Sequence, residues 1–174
     1  MQHRAAIRGP RCLLACLLLL CLAPPALAQS SRPFPGVIAL NVDVSDVQRR
    51  ILRVVQTIPA GPGRFELYYP QWLPGSHAPR GPIEQLAGLR FRVDGRELNW
   101  QRDPLDVHHF TVILPAGTRQ LQVELQIASP QNSEQGRVLV SPDLLDLQWN
   151  QVLVYPVGYR ARDISVQATL QLPA

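Results

Sequence analysis

Ser76 and His77 stand side by side, the hydroxyl and imidazole that nucleophilic catalysis pairs. Adjacent residues rarely meet in proton-transfer geometry, and no orienting acid is evident nearby, so the pair does not read as a nucleophile and its base. His108 and His109 are also neighbours, inside a stretch with strand periodicity. Their rings then point to opposite faces and are poorly placed to share one metal ion. Asp103 and Asp106 flank Pro104 and read as carboxylates that solvate a loop rather than as an acid/base pair. The sequence has no His-Glu-x-x-His, no Gly-x-Ser-x-Gly, no phosphate-binding glycine loop and no Cys-x-x-Cys. No catalytic and no metal-binding residue is assigned on this reading.

What remains is a loop that presents side chains: Trp72, Pro74, Gly75, Ser76, His77 and Arg80, just after Tyr68 and Tyr69. Proline fixes φ and Gly75 accepts the left-handed conformation that follows it in a tight turn, so Pro74-Gly75 predicts a rigid bend. The plain reading is a stiff cover over a sheet end. The functional one is a pre-shaped loop that offers Trp72, His77 and Arg80 to a ligand or a second domain.

The elements around this loop have a hydrophobic period of two, the signature of half-buried strands. Ile38, Leu40, Val42 and Val44 alternate with polar residues, as do Leu121, Val123, Leu125 and Ile127. Leu89, Phe91 and Val93 face opposite to Arg90 and Arg92, and Asp94-Gly95 then supplies the turn of a tight hairpin into Leu98 and Trp100. Further strands are expected at 51–58, 65–69, 107–114, 137–140, 148–155 and 164–172, with a helical turn at 82–86. Pro59-Ala60-Gly61-Pro62-Gly63, Pro115-Ala116-Gly117 and Ser129-Pro130-Gln131-Asn132 separate them. Short strands punctuated by Pro and Gly, without an amphipathic helix, predict an all-β chain: an antiparallel β-sandwich or saddle-like sheet pair. Its seventeen prolines fall at strand boundaries, which favours ordered loops over disorder.

Residues 1–28 have the three parts of a cleavable secretory signal. Arg4, Arg8 and Arg11 precede an apolar run from Cys12 to Ala23, and Ala26-Leu27-Ala28 offers a small-x-small cleavage site. The run is too short for a membrane-spanning helix, which needs about 20 residues. Cys21 follows four leucines instead of the small residue that precedes a lipidated cysteine. The reading is an exported protein, periplasmic or secreted, with residues 29–174 as one β-rich domain and no membrane anchor. Cys12, Cys16 and Cys21 all lie in the leader, so the domain is held by its core rather than by disulfides. The net charge of +4 also owes three arginines to the leader, which leaves little support for a nucleic-acid partner. Every basic residue is arginine and none is lysine.

The run Trp72-Leu73-Pro74-Gly75-Ser76-His77-Ala78-Pro79-Arg80 resembles the Trp-x-Pro-Gly-Ser-Tyr-x-x-Arg signature of the glycyl aminopeptidases, the zinc metallopeptidase family numbered sixty-one. The following features are similar in order and spacing: Leu86-x-x-Leu89-x-Phe91, Asp94-Gly95 with Leu98, Phe110, and Val154-Tyr155-Pro156-Val157-Gly158. The resemblance covers 36–174 and implies the family's β-rich N-terminal domain. Its partner would be a thermolysin-like catalytic domain that binds zinc and acts on peptides. The zinc ligands and glutamate base of that domain fall outside this sequence, so the resemblance places none of them here. His77 stands where the family usually has tyrosine.

Two functions follow. In the first, the chain is the non-catalytic N-terminal domain of an exported zinc aminopeptidase, truncated before the catalytic domain. It would support and shape the catalytic cleft, with Trp72 as an anchor, Pro74 and Gly75 setting shape, and Arg80 meeting a carboxylate or carbonyl. In the second, it is a free-standing secreted β-sandwich that binds a peptide or sugar through its aromatic Pro-Gly loop.

Overall fold

A computed structural model describes residues 32–130 and 138–173 of the chain. The leader expected at 1–28 lies outside the described residues, as do parts of the turn at 129–132 and the start of the strand expected at 137–140. Among the described residues no helix is long and apolar enough to cross a membrane.

The alternating segments form strands where the period predicts them: β1 (Val37–Asp43), β2 (Ile51–Pro59), β3 (Gly63–Tyr68), β4 (Leu86–Val93), β7 (His109–Leu114) and β8 (Gln120–Ala128). Between β4 and β7 lie two short strands, β5 (Arg96–Leu98) and β6 (Trp100–Arg102). After β8 come β9 (Leu139–Val140), β10 (Leu145–Asp146), β11 (Tyr155–Pro156) and β12 (Ser165–Gln171). A 3-10 turn at Ile83–Gln85 occupies the helical turn expected at 82–86. The larger sheet has the order β12-β1-β2-β8-β4-β5, and the smaller one runs β11-β3-β7-β6. β9 and β10 pair separately. Every pairing is antiparallel except β1 with β12, which is parallel.

Burial follows the alternation. Ile38, Leu40 and Val42 of β1 and Leu121, Val123, Leu125 and Ile127 of β8 are buried. So are Phe110, Val112 and Leu114 of β7, and both sheets contribute to one hydrophobic core. β4 carries a bulge between Ala87 and Arg90, where its register against β8 shifts. Gly88 adopts φ +60° there, which a side-chain-bearing residue would resist. The bulge explains why Leu86 and Leu89, three apart, are both buried.

Three segments depart from the sequence reading. The hairpin turn forms at Asp94-Gly95 with φ of +49° and +78°, as the mirror-image turn requires. Its ladder stops at Leu98 opposite Phe91, and Trp100 pairs instead with Val112 in the smaller sheet. The chain therefore changes sheets at Asn99, making a corner of the sandwich. The Trp100 ring lies edge-on to Phe91 at 5.9 Å and to Phe110 at 5.6 Å, which ties the two sheets together.

The second departure is at 148–155, expected as one strand. It is a 3-10 turn at Trp149–Gln151 leading into the two-residue β11. The reason lies on β2. Gln56, fully buried in the apolar alternation, receives the Val154 N–H on Oε1 at 2.8 Å and donates Nε2–H to the Val154 carbonyl at 3.1 Å. One carboxamide thus serves Val154 as a neighbouring strand would, without a continuous ladder. Third, β7 begins at His109, and His108 sits in the turn before it.

Candidate functional site

The loop singled out in the sequence is closed at its neck by backbone contacts. Trp72 and Pro79 form an isolated antiparallel bridge. The Gly81 N–H donates to the Gln71 carbonyl at 2.8 Å. Inside the neck, the Ser76 N–H donates to the Leu73 carbonyl at 3.1 Å, and Gly75 takes φ +76°. This is the Pro-Gly turn the sequence predicts, with Pro74 and Gly75 at its two corners. A methyl group at Gly81 would sit 1.8 Å from the Pro70 carbonyl oxygen, so the neck closes only around glycine.

The loop is moored from below. Tyr69 is buried, its N–H donates to the His108 carbonyl at 2.9 Å, and its hydroxyl donates to the Gln151 carbonyl at 2.9 Å. Burial holds that hydroxyl well above the usual phenol range, so it remains a donor. Of the adjacent tyrosines it is the buried one, while Tyr68 is half-buried. Within the loop Leu73 is buried, whereas the Trp72 residue is 64% exposed. Leu73 is therefore the anchor into this domain, and Trp72 points to its surface. Ser76 is half-buried, and His77 and Arg80 are exposed. Neither the His77 nor the Arg80 side chain has a hydrogen bond or ion pair with any other described residue.

The other polar candidates belong to the loop between β6 and β7, at the same end of the smaller sheet. Asp103 Oδ1 accepts the N–H of Leu105 at 2.8 Å and of Asp106 at 3.2 Å. Asp106 Oδ1 accepts the His108 N–H at 3.0 Å. Both carboxylates thus brace the loop from within. His108 Nδ1 faces the Tyr69 carbonyl at 3.3 Å. The His109 ring lies on Tyr68, with Nδ1 3.4 Å from Asp103 Oδ2 and Nε2 3.3 Å from Glu66 Oε1. Among the described residues no group of three or more His, Cys, Asp or Glu is placed to hold a metal ion.

The carboxylates of this network have acid-side consequences. Backbone N–H groups of Leu105 and Asp106 hold the Asp103 carboxyl below its usual range. A hydrogen bond from Arg64 does the same for Glu66, and away from this network Ser45 does so for Asp43 at the end of β1. A carboxyl whose folded pKa is depressed adds stability that is fully present above its unfolded pKa, near 4, and fades as pH falls through the folded value. The urea midpoint should stay level from neutral pH to about pH 5 and fall below about pH 4. Asp103→Asn retains the oxygen that accepts both N–H groups but cannot be protonated. It should flatten that fall, and an unchanged acid profile would remove Asp103 from its causes.

Sequence reasoning missed a groove beside the loop. Its volume is about 570 Å³, and Trp72 and Pro74 form one wall, Trp149 and Leu153 another, and Val166 and Ala168 of β12 the floor. None of its lining residues is charged. The groove depends on β12 returning beside β1 and on the turn at 149–151. Neither leaves a local signal in the sequence.

The Peptidase M61 N-terminal domain family model matches residues 39–174. No curated protein matches the chain. Among solved structures, one of an aminopeptidase N family protein from Idiomarina loihiensis superposes with a TM-score of 0.63 at 19% identity. The superposition covers 79% of this chain and 22% of that one, so this chain spans about a fifth of that protein's length.

Proposed function

Because the chain belongs to the peptidase M61 N-terminal domain family, we propose that it is the non-catalytic front domain of an exported zinc aminopeptidase, and that its closed loop shapes one side of the catalytic cleft. Zinc and the groups that act on the peptide bond would belong to the catalytic domain of the full-length enzyme. Export follows from the leader composition at 1–28.

The observation that carries the reading is the loop. Its neck is fixed by Gly81, its turn by Pro74-Gly75 and its base by Tyr69 and Leu73. Yet Arg80 and His77 are exposed and unpartnered among the described residues. A backbone held this firmly presents the guanidinium with no loop to order at the moment of contact, leaving only the rotamers of the side chain itself to fix. Arg80 suits a carboxylate or carbonyl of peptide or protein, which its planar donors can grip.

Arg80→Ala in the full-length enzyme should lower kcat/KM by about tenfold or more, the equivalent of one lost charge-assisted hydrogen bond. Because the exposed Arg80 side chain has no hydrogen bond or ion pair among the described residues, the melting temperature should hardly move. Steady-state kinetics and a thermal melt on the same preparation decide it. Unchanged kcat/KM with a large loss of melting temperature would sink the reading.

A further inference from the structure

β12 is an outer strand of the larger sheet and pairs on one side only, with β1. The Gln171 carbonyl accepts the Val44 N–H at 3.0 Å, which fixes the backbone groups that turn inward. In an extended strand the N–H and C=O of one residue point to the same edge, and successive residues alternate. Ser165, Gln167, Thr169 and Gln171 therefore bond toward β1, and Val166, Ala168 and Leu170 present their N–H and C=O groups along the open edge. The other outer strands of the two sheets are blunted. β5 is Arg96–Leu98 with Arg96 beside Glu97, β6 ends in Arg102, and β11 has two residues, the second of them Pro156. Charge, brevity and proline are the devices that stop a sheet from extending. β12 uses none of them: its seven residues, Ser-Val-Gln-Ala-Thr-Leu-Gln, include no charge and no proline, and all but Leu170 are exposed.

We infer that the open edge of β12 pairs with the same edge of a second copy of this chain, antiparallel and centred on Ala168, so that two larger sheets join across a twofold axis. The order of side chains selects this occupant. In that register Val166 faces Leu170, Ala168 faces Ala168, Gln167 faces Thr169 and Ser165 faces Gln171. Apolar meets apolar on one face and amide or hydroxyl meets the same on the other. The three residues that point outward fall opposite one another, so each pair exchanges two N–H···O bonds and none of these groups is left over. No charge faces its own image, as Glu97 would at the centre of β5. On the apolar face, Val166, Ala168 and Leu170 stand beside the buried Ile38, Leu40 and Val42 of β1. The groove floored by Val166 and Ala168 carries no charged side chain, so a second apolar stripe extends it without stranding a charge. Because both copies use the same patch, the contact closes at two.

Sedimentation equilibrium tests this on the chain itself, which should pass between one copy and two as its concentration rises. Ala168→Lys and Ala168→Asp should each weaken the association by about tenfold or more, because like charges then meet on the axis. At an exposed position neither should move the melting temperature of the single copy by much. Mixed in equal amounts, the two variants should associate again, since the introduced ammonium then faces the introduced carboxylate. Only a pairing centred on residue 168 gives that rescue. A wild-type chain that remains a single copy up to about 1 mM would overturn the inference. So would a dimer that both variants leave intact, a mixture that fails to recover the association, or a mass that grows past two. Amide exchange supplies a second measurement. The N–H groups of Val166, Ala168 and Leu170 should exchange about tenfold or more slowly once the second copy is bound, and free exchange at all three in the dimer would refute pairing at this edge.

Discussion

Gln56→Leu will cost the domain about 2–5 kcal/mol, because it strips partners from two buried backbone groups at once. The side chain is fully buried, and both of its polar ends engage Val154. Leucine fits the apolar alternation of Leu52, Val54 and Ile58 and brings no polar atom of its own. The penalty arises across the core, where the Val154 N–H and C=O would face hydrocarbon instead of an amide. Each orphaned group costs about 1–3 kcal/mol, a large fraction of a domain stability of about 5–15 kcal/mol. Urea unfolding should show a lower midpoint at nearly constant slope. Gln56→Glu should not rescue it, since a carboxylate accepts the N–H but repels the carbonyl and carries charge into the core. A leucine variant with the wild-type midpoint would mean that 152–154 finds other partners.

Gly81→Ala should have a comparable effect from the opposite cause, too much matter in place of too little bonding. The added methyl would lie 1.8 Å from the Pro70 oxygen, 2.8 Å from the Pro70 carbonyl carbon and 2.9 Å from the Gln71 Cα. All three are backbone atoms, so no rotamer change relieves the clash. The neck must part, with loss of the Gly81–Gln71 hydrogen bond and the Trp72–Pro79 bridge. The expected destabilisation is about 3 kcal/mol, at the upper end for overpacking. Amide exchange should show the damage concentrated at 71–81. In the full-length enzyme kcat/KM should fall with it, because the loop that holds Arg80 loses its shape. Uniform loss of protection across all strands would instead show that the neck is part of the global folding unit.

The contrast between these residues shows what the sequence disclosed. Strands β1, β4, β7 and β8 were legible because their apolar positions recur every second residue. The turn at Asp94-Gly95 was legible because few dipeptides tolerate two positive φ angles. Gln56 was not singled out in the sequence: a polar residue on the inner face of a strand calls for a buried partner, but nothing local says that the partner is Val154. The same gap misplaced 148–155, whose backbone is satisfied by a side chain from a distant strand. Trp100 crossed to the second sheet because the corner is set by packing between Phe91 and Phe110, which periodicity does not encode. The loop residues were found by composition, and Pro74-Gly75 formed the predicted turn. Which of Trp72 and Leu73 is buried was not readable, since turn geometry decides it.

The parallel pairing of β1 with β12 has a consequence for biogenesis. The first strand of the sandwich to leave a ribosome or a translocation channel is completed by the last. Until residues 165–171 emerge, one edge of β1 stays a bare row of amides and carbonyls, open to wrong pairing with any nascent neighbour. Such an edge is guarded best if the sheet closes only once both strands are available. Closure of the larger sheet then waits on the pairing of residues 37–43 with residues 165–171, more than 120 residues apart.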